Sequence, residues 1–169
     1  MNLLIHDLPV LYERIIPKSA RRDTAIIATD SGSHAIHACK GCFDCWVKTP
    51  AHCDIRDDYA DMGRLLAACA RLIVISRCCY GGYSPFVSRV LGRSLAYVLP
   101  YFVTRNGEFH HPGRYDNSPD FKAHLYGQTT AREQETARKL VERNGVNLLL
   151  SNVEVHFYAT ADNIGAVLA

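Results

Sequence analysis

The sequence predicts an open α/β sheet, and two observations carry that expectation. Five short apolar, β-branched runs recur along the chain: "NLLI" (2–5), "TAIIAT" (24–29), "RLIVIS" (71–76), "AHLYG" (123–127) and "VEVHFYA" (153–159). Between them lie segments with helix start and stop chemistry, so strand and helix alternate through most of the chain. The runs are almost continuously apolar, as strands buried on both faces of a parallel sheet require. At 169 residues, 48% hydrophobic and 21% charged, the chain suits one domain over 1–169 with a substantial core.

The helix candidates follow in order. In "DYADMGRLLAACA" (58–70), Asp57 or Asp58 is available as N-cap, and Leu65, Leu66 and Cys69 share a face. In "SPFVSRVLGRSLAYVL" (84–99), Ser84 caps and Pro85 takes the first helical position. In "TAREQETARKLVER" (130–143), Thr130 and Glu133 stand at capping-box spacing, and Asn144-Gly145 supplies a stop. The connection from strand one to "DTAIIAT" leaves room only for a stubby helix. Between Pro100 and Pro119 the pattern breaks, and Asn106-Gly107 between "FVTR" and "EFHH" predicts a tight hairpin, a small insertion near 101–118. In open α/β sheets ligands bind beyond the carboxyl ends of the strands. The candidate ligand loops are therefore 6–9, 30–53, 76–83 and 127–130.

Charge excludes some partners. With 19 Lys+Arg against 17 Asp+Glu the formal charge is +2, which makes no general case for nucleic acid or a membrane surface. The Arg21-Arg22 pair reads as solvated surface. The N-terminus lacks a basic leader, Asp7 interrupts its apolar run, and no apolar stretch reaches the length of a membrane span. Seven cysteines in such a chain point to a reducing, cytoplasmic setting, where clustered thiols serve metals or redox chemistry more often than structural disulfides.

Four of the seven fall in "CKGCFDCWVKTPAHC", as Cys39-x2-Cys42-x2-Cys45-x7-Cys53. Three thiolates at this spacing wrap a small volume and suit a 4Fe–4S cluster, with Cys53 as the fourth ligand. A four-cysteine zinc site is a second reading, although its usual form is two separated C-x2-C knuckles. A third is a packed loop without metal, since Phe43 and Trp46 lie among the thiols. A Cys42–Cys45 or Cys39–Cys53 disulfide is a fourth. The vicinal pair Cys78-Cys79 reads as strand-end packing, with Cys79 available as a redox thiol. His34 and His37 could join Cys39 around an ion, whereas adjacent His110 and His111 on a strand point to opposite faces and cannot easily share one. No G-x-S-x-G, Walker A or G-x-G-x-x-G motif occurs.

Taken in order, "CKGCFDCWVKTPAHCDIRDD", "RLIVIS" and "YGGYSPFVSRVLGRSLAYVLPYF", followed by "RNGEFHH" and "LVERNGVNLL", resemble the flavodoxin-like NADPH-dependent FMN reductases, in particular the iron–sulfur flavoproteins. The resemblance covers about residues 36–150. It implies a flavodoxin-like three-layer sandwich with a five-stranded parallel sheet in order 2-1-3-4-5, and FMN at the carboxyl ends of strands one, three and four. It also implies a homodimer or homotetramer, with NAD(P)H as electron donor. By the same resemblance, "RCCYGGY" (77–83) is the flavin-ring loop, with Cys79, Tyr80, Gly81, Gly82 and Tyr83 approaching the isoalloxazine. Gln128 and Thr129 of "GQTT" would flank the other ring edge. The glycines let the main chain approach a flat ligand, or they simply turn it ahead of Ser84-Pro85. Substituting Gly81 by valine would then abolish flavin binding with the fold intact.

The chain departs from this family after strand one. "HDLPVLYERIIP" holds no Gly, Ser, Thr or Asn to cradle a phosphate. Asp7 there would repel a phosphate, or cap a helix starting near Pro9. A bound FMN phosphate would have to be met by Arg14, Arg21, Arg22 or a hydroxyl of "DSGS" (30–33). Arg77 and Cys78 also stand where the family usually has proline and a small or apolar residue. Two functions follow: an FMN-dependent NAD(P)H oxidoreductase serving a small acceptor, directly or through a 4Fe–4S cluster, or a flavodoxin-fold module without tight FMN that binds a metal or cluster or senses redox state.

Overall fold

The computed structural model describes residues 1–9, 14–29 and 36–167. Among them the elements run β1 (Asn2–His6), α1 (Lys18–Arg21), β2 (Thr24–Ala28), α2 (Asp44–Val47), α3 (Met62–Ala68), β3 (Arg71–Arg77), α4 (Pro85–Gly92), β4 (Val103–Arg105), β5 (Glu108–His110), β6 (Asp120–Tyr126), α5 (Ala131–Asn147) and β7 (Ser151–Tyr158). Five strands make one parallel sheet in the order β2-β1-β3-β6-β7, while β4 and β5 pair separately as an antiparallel ribbon. With the ribbon left out of the count, the order matches the expected 2-1-3-4-5. Among the described residues no helix is long and apolar enough to cross a membrane.

The central strands are buried on both faces, as their continuous apolar runs require. Leu3, Ile5, Leu72, Val74, Phe121, Ala123 and Leu125 point to one face. They meet Met62 and Leu66 of α3, Val87 and Val90 of α4, and Ala137 and Val141 of α5. Each large side chain fully buried there contributes about 1.5–3 kcal/mol. The opposite face holds Leu4, Ile73 and Ile75 under Leu8, Ile15, Ile16, Ile164 and Val167. That layer is thin: α1 has four residues and buries none of them. A full third layer of helices is therefore not what covers this face among the described residues. Irregular chain does so.

Cap chemistry placed several boundaries. The Ser84 side chain accepts from the Val87 N–H at the start of α4, and Thr130 and Glu133 form the capping box of α5. The ribbon turns at Asn106 and Gly107, both at positive φ as a two-residue hairpin demands. Three expected helix ends are corrected, the first being that the helix over 84–99 is α-helical only to Gly92 and continues as a 3-10 helix over Arg93–Tyr97. The helix from 58 begins at Met62, because the Asp57 carboxylate is taken by Arg93 and by the Tyr59 N–H. Helix α5 passes through Asn144-Gly145 to Asn147. A Cβ on Gly145 would lie 2.6 Å from Val153 Cγ2, so this glycine serves close packing against β7. The helix is closed beyond Asn147 by Leu149 (φ 58°), where the Leu149 and Leu150 N–H groups donate to Val146 and Gly145 carbonyls in a Schellman motif.

The thin face carries an unusual polar row over its outer strands. His124 and His156 are directly paired across β6 and β7, and their rings stack at 5.0 Å. His124 is buried, its Nδ1 lies 2.9 Å from the Tyr158 hydroxyl, and its Nε2 has no hydrogen-bond partner among the described residues. Burial, then the charges of His156 and Lys122, lower its pKa to about 4, with Glu154 opposing. A histidine held neutral in the fold but free to protonate when unfolded destabilises the fold as pH falls from about 6.5 to about 4. Stability should therefore drop by about 3 kcal/mol across that window, and His124→Phe should flatten the drop in urea titrations at a series of pH values. An unchanged slope in the variant would assign the acid sensitivity elsewhere.

Candidate functional site

The strand ends beside the expected ring loop are held by an interstrand lock. The Arg77 backbone N–H, at the end of β3, donates to both Asp7 oxygens at 3.1 and 2.9 Å. The Tyr126 hydroxyl, at the end of β6, donates to Asp7 Oδ1 at 3.0 Å. Burial and the Asp7 charge push the Tyr126 phenol well above its ordinary range. Asp7 thus ties three strands together with both its oxygens, where the sequence had offered it as the cap of a helix starting near Pro9. Residues 10–13, where that helix would run, lie outside the described residues, as do "DSGS" and His34 in 30–35. The negative charge stands at the end of β1, beside the ends of β3 and β6.

The expected ring loop is a two-residue turn. Cys79 and Gly82 exchange backbone hydrogen bonds at 2.8 and 2.9 Å, and Tyr80 (φ 51°) and Gly81 (φ 77°) occupy the left-handed positions between them. This is the pattern of a type I′ turn. Its apex presents Tyr80 with 97% of its surface exposed. Gly81 faces α5: a Cβ there would stand 2.9 Å from Thr136 Cβ and 3.1 Å from the Glu133 carbonyl oxygen. Its bare Cα is therefore required by the helix. The expectation that valine at 81 leaves the fold intact is corrected on that ground. Tyr83 is buried, and its hydroxyl accepts from Asn144 Nδ2 at 3.3 Å. Cys78 is buried while Cys79 is partly exposed. Gln128 and Thr129 line a cavity of about 170 Å³ with Gln134 and Tyr158 at the ends of β6 and β7, and Gln134 donates to the Thr129 hydroxyl.

The cysteine loop divides into an outer and an inner pair. Cys39 and Cys42 are exposed, Cys45 and Cys53 are buried, and all seven cysteines are free thiols. Burial pushes the Cys45 thiol up, and its neighbours Cys53, Cys39 and Cys42 push it further, so the four lie within electrostatic reach. Among the described residues, however, no group of three or more His, Cys, Asp or Glu side chains is arranged to hold a metal ion. His37 contributes its backbone: its N–H lies 3.4 Å from Asp57 Oδ2 and its carbonyl accepts from Arg93. His110 turns inward to Asn147 and Glu108, while His111 packs between Trp46 and Phe102. The two histidines do face opposite sides.

The sequence reading missed the clamp on this loop. Arg93, with its side chain 0% exposed, forks Asp57 (7% exposed) at 2.7 and 2.8 Å. It also donates to the His37 and Ile55 carbonyls, on either side of the four cysteines. Burial works against this guanidinium, but Asp57 and the Cys53 sulfur beside it keep it firmly protonated. Only its apolar surroundings in "VLGRSLAY" hinted that a charge there needed a buried partner. Compared with known proteins, the chain matches no family model and no curated sequence.

Proposed function

We propose that this chain is a flavodoxin-like oxidoreductase that takes FMN at the carboxyl ends of its strands, draws electrons from NAD(P)H and passes them to a small acceptor. The observation that carries the reading is Tyr80: a nearly fully exposed aromatic on a non-glycine left-handed backbone, held by a doubly hydrogen-bonded turn at the strand ends. Such strain persists where the surroundings hold it in place, and it clusters at ligand sites. The ring side thus fits the group. Tyr80 would stack on it, the turn would limit its approach, and Gln128 and Thr129 would offer polar contacts. When bound, FMN supplies the hydride-accepting ring, and the protein supplies position. The exposed Arg77 side chain brings a positive charge to this edge.

Asp7 favours a second reading. From the end of β1 its carboxylate occupies the Arg77 N–H at the end of β3 and the Tyr126 hydroxyl at the end of β6, which suits a protein of the same fold that does not hold FMN tightly and works as a metal- or cluster-binding or redox-sensing module.

The test is an absorption spectrum of anaerobically purified protein, with released flavin and iron assayed, followed by titration of the flavin-free protein with FMN. Saturable binding is expected, weakened about threefold to tenfold in Tyr80→Ala by loss of one stacking contact. A colourless protein that takes up no added FMN would remove the oxidoreductase reading in favour of the second.

A further inference from the structure

Helices α4 and α5 lie on the same side of the sheet and present facing stripes. On the first, Ser88, Leu91 and Gly92 follow at helical spacing, with Leu95 one turn further on. On the second, Leu140, Asn144, Asn147 and Leu148 do the same. Such stripes ordinarily interlock, ridge into groove. Here they line two cavities of about 300 and 320 Å³, which share Leu91, Gly92, Asn147 and Leu148 and so form one continuous groove. It runs from Tyr83 at one end to Val98 and His111 at the other. The stretch from Leu140 to Leu148 sets its length at about 12 Å, at roughly 1.5 Å per helical residue.

Two features of the groove are not explained by the folding of the chain itself. The first is Gly92. Its backbone is helical (φ −62°), and a Cβ there would meet nothing within 4 Å. Neither strain nor packing calls for a bare Cα, which a helix disfavours. Its effect is to leave the middle of the groove open. The second is an unmatched donor. Tyr83 is only 6% exposed, and its hydroxyl accepts from Asn144 Nδ2 but donates to no acceptor among the described residues. Burial pushes this phenol well above its ordinary range, so it keeps the proton it has to donate. Asn147 adds a further donor: its Oδ1 faces His110 Nδ1 at 3.3 Å, and its Nδ2 has no partner among the described residues.

We infer that this groove is a binding site for an uncharged, elongated and largely apolar molecule that carries a carbonyl oxygen. The leucines and Val98 supply apolar walls, and Tyr83 and Asn147 supply the few polar groups that fix orientation in such sites. A carbonyl oxygen accepts through two lone pairs and brings no donor of its own to be satisfied. Charge decides the rest. Among the described residues no Lys, Arg, Asp or Glu lines the groove, so a charged ligand would give up its hydration with no opposite charge to meet it. The phosphates of FMN and NAD(P)H fail on the same ground, so the ligand is neither of them.

The test is equilibrium dialysis of the whole chain against prodan, an uncharged naphthyl ketone, and in parallel against anilinonaphthalene sulfonate, an anionic naphthyl dye. Saturable uptake of prodan is expected, with an affinity at least about tenfold above that for the anion. Gly92→Leu should fill the groove and lower prodan affinity at least about tenfold, with thermal unfolding unmoved or raised because leucine is the better helix former. Tyr83→Phe should weaken binding about threefold to tenfold through one lost hydrogen bond. No saturable uptake overturns the inference, and so does equal uptake of the anion. Prodan that binds Gly92→Leu with full affinity sits elsewhere, as on the exposed rings of Phe43 and Phe109, and overturns it too. Unchanged binding in Tyr83→Phe overturns the ligand class, because the carbonyl then has no place at that end. Dialysis counts bound dye whether or not flavin is present, so none of these outcomes turns on the FMN reading.

Discussion

Arg93→Met should lower the unfolding free energy by roughly 3–5 kcal/mol, because it leaves the Asp57 carboxylate buried with no opposing charge. Urea unfolding of variant and wild type measures this directly. Cutting the clamp also frees both flanks of the cysteine loop, since the His37 and Ile55 carbonyls lose their donors. Cys45 and Cys53, buried in the intact protein, should then react with a thiol reagent alongside the exposed Cys39 and Cys42. A variant with full stability and two slow thiols would show that the fork does not hold the loop.

The pair also has a defined pH dependence. Burial by itself raises the Asp57 pKa, but the Arg93 fork and the Tyr59 and His37 N–H groups outweigh it, and the carboxyl titrates below its usual value. A carboxyl depressed in the folded state contributes stability that is present above the unfolded value, about 3.9, and is lost as pH falls through the lower folded one. This loss lies on the acid side of the window in which His124 titrates, so the two effects separate. Asp57→Asn should reduce the more acidic phase, to which the lowered Glu108, Glu133, Glu135 and Glu154 carboxyls also contribute, and keep the other.

Gly81→Val should cost several kcal/mol of stability. Its backbone lies at φ 77°, where a β-branched residue is strained by about 1–3 kcal/mol. Its Cβ would press on Thr136 and the Glu133 carbonyl, adding about 1–3 kcal/mol of overpacking. Gly82→Ala is the contrast one residue away. It has no positive φ, and its Cβ would sit at ordinary contact distance, 3.5 Å from the Cys79 oxygen and 3.8 Å from Leu140. That change should stay within about 0.5 kcal/mol. Equal thermal stability of the two variants would refute the packing of the turn on α5. The comparison also governs how flavin loss is read: absence of FMN from Gly81→Val reports on the ring loop only if the protein is folded, whereas Tyr80→Ala tests the ring loop at an exposed side chain.

Much of the scaffold was legible because its causes are local. Ser84 ahead of Pro85, Thr130 with Glu133, and Asn106-Gly107 each act within four residues, and each set its helix start or turn where expected. The five apolar runs marked all five strands of the main sheet, although "AHLYG" marked only the end of β6, whose first residues are Asp120, Phe121 and Lys122. Local rules failed where a distant group competed. Asp57 had the chemistry of an N-cap but was claimed by Arg93, 36 positions away. Asn144-Gly145 had the form of a stop, yet the helix continued because Val153 packs against the bare Cα.

The site divides along the same line. From the sequence alone came the alternation of strand and helix, the strand-end loops where chemistry belongs, the four clustered thiols and the missing phosphate cradle, all of which depend on residue type and short spacing. Only the tertiary structure decided that Asp7 joins β1, β3 and β6, that Gly81 serves α5, and that the four thiols split into exposed and buried pairs. These outcomes rest on which groups meet across the sheet and between layers. A hydrogen bond or a clash depends on distance in space, and residues far apart in the chain carry no local pattern that announces it.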